Sequence, residues 1–145
     1  MSNLKASYDI EVEHTFTGPA DKVFDAWLNP ELVQKWFGPG LGETQPVSID
    51  GKVGGSFRIV QIRDGEAIGH SGKYLVVDRP GHLVFTWGTD DDEGDDEVSI
   101  HIVNSGTGST VKLTHITDAQ WKDFEDKIRN SWQSMMKAMD SLISS

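Results

Sequence analysis

The feature that most constrains the fold is a change of period near Thr117. Before it, apolar and polar residues alternate in short runs. After it, apolar residues recur at spacings of three and four. Tyr8, Ile10, Val12, His14 and Phe16 share one face of the first run, while Asp9, Glu11, Glu13 and Thr15 share the other. Leu83, Phe85 and Trp87 alternate in the same way, and so do Val98, Ile100 and Ile102. Past the change, Trp121, Phe124, Ile128, Trp132, Met135, Met139 and Leu142 form one stripe, widened by Met136 and Ile143. Strands with one apolar face and a helix with one apolar stripe must each bury that side, and each can bury it against the other. The expectation is an α+β domain with a sheet curled around a single C-terminal helix.

Turn chemistry divides the alternating region. Asp50–Gly55, Asp64-Gly65, Arg79-Pro80-Gly81 and Gly106-Thr107-Gly108 separate runs at Thr44–Ile49, Ser56–Ile62, Ala67–Val77, Leu83–Trp87, Val98–Ile102 and Thr110–Ile116. With Tyr8–Phe16 these make seven strands. Pro46 assigns Thr44–Ile49 to an edge or a strand start. Thr117-Asp-Ala-Gln120 has the spacing of a capping box, and Ile116 and Trp121 are placed for a hydrophobic staple across it. The spacing therefore predicts a helix from about Asp118, roughly 25 residues long.

Between the first strand and the rest lies Pro19–Gly40, which reads as two short helices in tandem. Pro19 suits a first helical position after a Gly18 cap, and Asn29-Pro30 repeats the start signal. Val23, Phe24, Trp27 and Leu28 fall on one face of the first helix, and Leu32, Val33, Trp36 and Phe37 on one face of the second. The pair forms an apolar wedge with no evident nucleophile–base pair.

Composition narrows the partners. A chain of 145 residues holds one domain with a sizeable core, and the reading is a single domain over 1–145. Its net charge of -10 repels phosphate backbones and anionic membrane surfaces, so neither nucleic acid nor membrane is an expected partner. Cysteine is absent, which excludes disulfides and thiolate zinc sites. The opening MSNLKASYDIEVEH lacks an apolar h-region, and no apolar run reaches the ~20 residues needed to span a bilayer. A cytoplasmic protein is expected, as a monomer or homodimer.

The run Val23–Pro39, VFDAWLNPELVQKWFGP, resembles the opening motif of the activator of heat-shock-protein-90 ATPase homologue-like family, within the START/birch-pollen-allergen-like (SRPBCC) superfamily. Asp50–Arg58 resembles that family's first hairpin, Gly72–Tyr74 with Arg79–Trp87 its central hairpin, Gly108–His115 its last strand and Trp132–Leu142 its closing helix. Two departures stand out: Ser131 replaces the usual Gly before Trp132, and Thr89–Glu97 is an acidic run rather than a short hairpin. The family's eukaryotic co-chaperones carry an additional N-terminal domain for which this chain has no room, so chaperone activation does not carry over. The resemblance implies a helix-grip (START/Bet v-like) fold: a seven-stranded curved antiparallel sheet around a long C-terminal helix, two short helices after strand 1, and a cavity between sheet and helix.

Residues expected on the apolar wall of that cavity are Trp36, Phe57, Tyr74, Phe85, Trp87, Trp132, Met135 and Met139. His70 and His115 are the expected polar contacts. His14 and His115 both fall on inward faces and would approach each other if the first and last strands pair; the plain alternative is two histidines satisfied by nearby polar groups. Metal-ligand spacing is lacking, so neither a metal nor a cofactor is expected. The methionine cluster reads first as an ordinary core stripe, a reading compatible with an adaptable ligand-facing wall. The run Thr89–Glu97 lacks calcium-loop spacing and reads as a solvated hairpin tip. The resulting expectation is a binder of a small apolar or amphipathic ligand. The alternatives are a protein-interaction module and a cyclase- or dehydratase-like enzyme, the last by fold analogy only.

Overall fold

The computed structural model describes residues 7–90 and 96–143. Strand β1 (Ser7–Phe16) leads into helices α1 (Ala20–Leu28) and α2 (Pro30–Trp36). Strands β2 (Glu43–Thr44), β3 (Ser48–Ile49), β4 (Ser56–Arg63), β5 (Glu66–Asp78), β6 (His82–Thr89), β7 (Asp96–Ser105) and β8 (Gly108–Asp118) follow. A 3-10 helix over Ala119–Phe124 then runs into α3 (Glu125–Ile143). All pairings are antiparallel, in the order β1-β8-β7-β6-β5-β4-β2, with β3 also on β4. The predicted edge strand Thr44–Ile49 is thus two short pieces on either side of Pro46, which has no N–H to give a ladder. Among the described residues the sheet has eight strands where the sequence predicts seven.

The inner faces follow the predicted parity. Ile10, Val12 and Phe16 of β1, Leu83 and Phe85 of β6, Ile100 of β7 and Val111 and Leu113 of β8 are buried in one core with Trp132, Met135, Met136 and Met139 of α3. Helices α1 and α2 add Val23, Phe24, Trp27, Val33 and Trp36 to that core. Asn29 caps α2 through its side-chain oxygen, which accepts from the Glu31 and Leu32 amides, and Pro30 opens the helix. Helix α1 starts one residue later than predicted, with Pro19 as the cap, and its first amide, on Ala20, donates to the side chain of Asn104 from β7. The strand turn at Asp64-Gly65 has both residues at positive φ, 53° and 78°, as a tight two-residue hairpin demands. At Gly72 the strands crowd so closely that a Cβ would stand 1.8 Å from the Thr86 carbonyl oxygen, which glycine alone permits.

The start of the last helix differs from expectation. Thr117 does not cap it: its backbone stays in β8 opposite Tyr8, and its hydroxyl donates to Asp96 on β7. Asp118 is the cap instead, accepting from the Gln120 amide, and the six residues that follow are 3-10. Regular α-helix begins only at Glu125 and runs 19 residues, so it starts later and is shorter than predicted. A 3-10 turn holds three residues, so the stripe drawn at 3.6 does not continue through it. Trp121 and Phe124 are accordingly exposed, at 39% and 47%.

Candidate functional site

The grip is unevenly filled. At one end Trp27 and Trp36 of the two short helices meet edge to face with ring centroids 5.1 Å apart, and Phe57, Tyr74 and Phe85 close the space from the sheet. The void left among them is about 20 Å³, room for no more than a water. At the other end a cavity of about 900 Å³ opens between α3, its 3-10 lead-in, strands β4 to β8 and the loop after α2. Trp87 and Trp132, with centroids 5.2 Å apart, line both spaces and form the wall between them.

His115 stands in the cavity wall, 3% exposed, and both its ring nitrogens are engaged. The Trp132 indole N–H donates to Nδ1 at 2.8 Å. An indole can only donate, so Nδ1 is the acceptor and the proton sits on Nε2, which donates to Asp96 Oδ2 at 2.9 Å. Thr117 donates to the other oxygen of Asp96 at 3.1 Å. The chain Trp132–His115–Asp96–Thr117 is therefore a closed network tying α3 to β7 and β8.

From β4 the opposite wall takes Arg63. Phe57, Ile59 and Gln61 point inward, and Arg63 continues the same parity. Gln61 is fully buried, and its amide nitrogen lies 3.2 Å from the Phe37 carbonyl, 3.0 Å from that of Gly38 and 3.1 Å from the Thr44 hydroxyl. It thereby pins the loop after α2. Gly38 makes this approach possible: its φ is +52° and a Cβ there would stand 2.5 Å from Gln61 Oε1. The same oxygen accepts from Arg63 Nε at 2.6 Å, while the guanidinium carbon sits 6.0 Å above the Phe37 ring. Burial holds the Arg63 guanidinium below its ordinary range. His70 packs against Phe37 and Trp87, and its buried Nδ1 finds no partner among the described residues. Burial first, and the nearby Arg63 charge second, push His70 down to about 4, so it is neutral at pH 7.

The expected site residues divide between the two spaces. His70, Trp87, His115, Trp132 and Met135 line the large cavity. Trp36, Phe57, Tyr74 and Phe85 line the small void instead, where burial also drives the Tyr74 phenol up. Met139 is fully buried and lines neither. His14 does not meet His115. Strand β1 does pair with β8, but His14 faces Val111 while His115 faces Ile10, four residues along the ladder. His14 lies 3.2 Å from Asp140 on α3. Among the described residues no three His, Asp or Glu side chains gather to hold a metal ion. The acidic run is not wholly solvated: Asp90 takes a two-pronged ion pair from Arg58 at 2.9 and 2.8 Å, and Asp96 belongs to the cavity network. Its tip lies outside the described residues. Sequence reading passed over Phe37, Arg63, Asp96 and Thr117 as cavity residues. Strand parity held the signal for three of them: Arg63 follows Phe57, Ile59 and Gln61 in steps of two, Asp96 precedes Val98, and Thr117 follows His115.

A curved antiparallel sheet gripping one long helix, with a cavity opening beside it, defines a helix-grip protein of the SRPBCC type. The family model for Activator of Hsp90 ATPase homolog 1-like protein matches residues 17–144, and the chain belongs to that family. Against curated proteins the sequence finds no match. Among solved structures, CV1439 from Chromobacterium violaceum superposes with a TM-score of 0.83 at 20% identity, over 94% of this chain and 98% of that one. NE0264 from Nitrosomonas europaea gives 0.83 at 20%, over 94% of each chain. Ara h 8.0201 gives 0.79 at 18%, over 97% of this chain and all (100%) of that one. At such identities the likeness carries the fold and nothing finer. No helix among the described residues is long and apolar enough to cross a membrane.

Proposed function

We propose that this protein binds a small, largely apolar or amphipathic molecule non-covalently in the large cavity. The observation that carries the reading is the cavity itself: about 900 Å³, walled by Phe37, Trp87, Ile128, Trp132 and Met135, with a few fixed polar groups. Ligand sites of roughly 300–1,000 Å³ have this make-up. Binding is favoured over catalysis because neither cavity histidine is set up as a general base: both nitrogens of His115 are engaged, and His70 is too weak a base at about 4. Titration with the neutral dye N-phenyl-1-naphthylamine tests the reading. Saturable emission enhancement, with quenching of tryptophan by energy transfer to the dye, is expected. No saturable uptake would end it.

A second reading rests on the rim. Leu41, Trp121 and Phe124 are exposed at 53%, 39% and 47% around the cavity mouth, an apolar collar that suits a protein partner. A stable complex that forms with an empty cavity and is lost on replacing Trp121 and Phe124 by Ser would favour it.

A further inference from the structure

From the placement of Arg63 we infer that the ligand is an organic acid: an apolar body carrying a carboxylate, which docks on the Arg63 guanidinium. This deepens the binding reading above and rests on it.

The chain has four arginines, Arg58, Arg63, Arg79 and Arg129. Three are ion-paired: Arg58 with Asp90 at 2.8 Å, Arg79 with Asp25 at 2.8 Å and Arg129 with Glu125 at 2.5 Å. Arg63 has no carboxylate partner among the described residues, although the protein holds 23 acidic residues against 13 basic ones. It is also the arginine that lines the cavity. Its Nε is committed to Gln61, which fixes the plane of the guanidinium, while its two terminal nitrogens have no partner among the described residues. A half-buried guanidinium with a free fork is built for a two-pronged carboxylate.

The electrostatics of the lining agree. Its cations are Arg63 and Lys127, and its one carboxylate among the described residues is Asp96. Both oxygens of Asp96 are already taken by His115 and Thr117. The lining is thus net positive inside a protein of net charge -10. An anion on an apolar body is attracted to that lining, and the partial burial of Arg63 beside the Phe37 ring strengthens the pairing. His70 packs against the same Phe37 ring as Arg63 and is neutral at pH 7, so it adds no charge of its own to the lining.

The test displaces bound N-phenyl-1-naphthylamine with matched pairs: decanoate against decanol, and 2-naphthoate against 2-naphthalenemethanol. In the parent protein the acid of at least one pair should bind about tenfold or more tighter than its alcohol, the size expected of a charge-assisted pair. Which pair shows the larger preference distinguishes an aliphatic from an aromatic body. In R63Q the acid-to-alcohol ratio should fall to about one, and in R63K it should be partly kept. A ratio within one variant cancels any general loss of affinity, and R63K, which keeps the charge, serves if R63Q does not fold. Dye uptake with no acid preference in the parent, or a preference that survives in R63Q, overturns this inference and leaves the binding reading standing. No uptake of the dye and no binding of either acid overturns both.

Discussion

The two ends of the grip are made from the same sheet face and the same helix stripe, yet one is filled and the other is hollow. The filled end receives Trp27 and Trp36 from α1 and α2, and its residual void is about 20 Å³. The hollow end receives small or polar residues at the matching positions. Ser131 and Ser134 of α3 face Thr89, Asp96 and Thr117 across about 900 Å³. The two short helices are therefore a plug, and whatever lies beyond Trp36 stays open. At the filled end the indole N–H of Trp36 finds the Ala26 carbonyl at 2.9 Å, a purely structural bond. At the hollow end Trp132 spends its N–H on His115, which fixes a polar group at the cavity edge. Under the proposed function, fold stability belongs to the first end and ligand chemistry to the second, with Trp87 and Trp132 lining both spaces.

The shared wall gives the largest expected effect. Trp132 is 2% exposed and contacts both ends, so Trp132→Ala should cost ~3–5 kcal/mol in chemical denaturation. It also strips His115 Nδ1 of its donor, adding to the loss. A cost below ~1 kcal/mol would mean that the wall between the two spaces carries no packing.

Next comes a contrast within the methionines. Met139 is fully buried and lines neither space, so Met139→Ala should cost ~2–5 kcal/mol. Met135 borders the cavity and lacks neighbours on that side, so Met135→Ala should cost less and should alter dye uptake. Equal costs, with uptake unmoved in both, would erase the distinction between core and cavity along α3.

That contrast also marks how far the sequence could be read. Strand parity put His115 inward and Pro46 at an edge, and Asn29 capped α2 as its chemistry requires. Parity cannot say how much space lies in front of an inward residue. Met135, Met136 and Met139 look alike on a helical stripe, and only the plug formed by Trp27 and Trp36 decides which of them meets a void. The helix start was misread because Thr117 had two outlets for its hydroxyl. A capping box satisfies it locally, whereas Asp96, 21 residues away, satisfies it across the sheet. Arg63 was hidden for a related reason: beside Asp64-Gly65 it looks like the polar end of a strand, and its role depends on Gln61 and Phe37, which only the folded chain brings to it.

A smaller effect, set by pH, separates the ends again. His70 is 7% exposed and held at about 4, against an unfolded value near 6.5. The unfolded chain therefore takes up a proton that the folded one refuses. Stability from this group is full above about pH 6.5, falls as pH drops towards 4, and changes no further below that, for a loss of up to about 3 kcal/mol. Denaturation midpoints of the parent and of His70→Gln between pH 7 and 4 should converge as the pH drops. Parallel curves would mean that His70 protonates freely in the folded protein and is not buried against Phe37 and Trp87.

The smallest effect on stability should come with a large one on uptake. Ser131 is exposed on α3 and lines the cavity, at the position where the resemblance noted above has glycine. Leucine suits a helix better than serine, and the side chain meets open space rather than packed neighbours. Ser131→Leu should therefore shift stability by no more than ~0.5 kcal/mol in either direction. The added isobutyl group projects into volume that a ligand would use, so uptake of N-phenyl-1-naphthylamine should weaken several-fold. No comparable test exists at the filled end, where any added carbon must displace an aromatic ring and costs stability outright. Unchanged uptake in Ser131→Leu, with the fold intact, would place the dye on the exposed collar of Leu41, Trp121 and Phe124, and the hollow end would then be a vestibule to a surface site rather than the site itself.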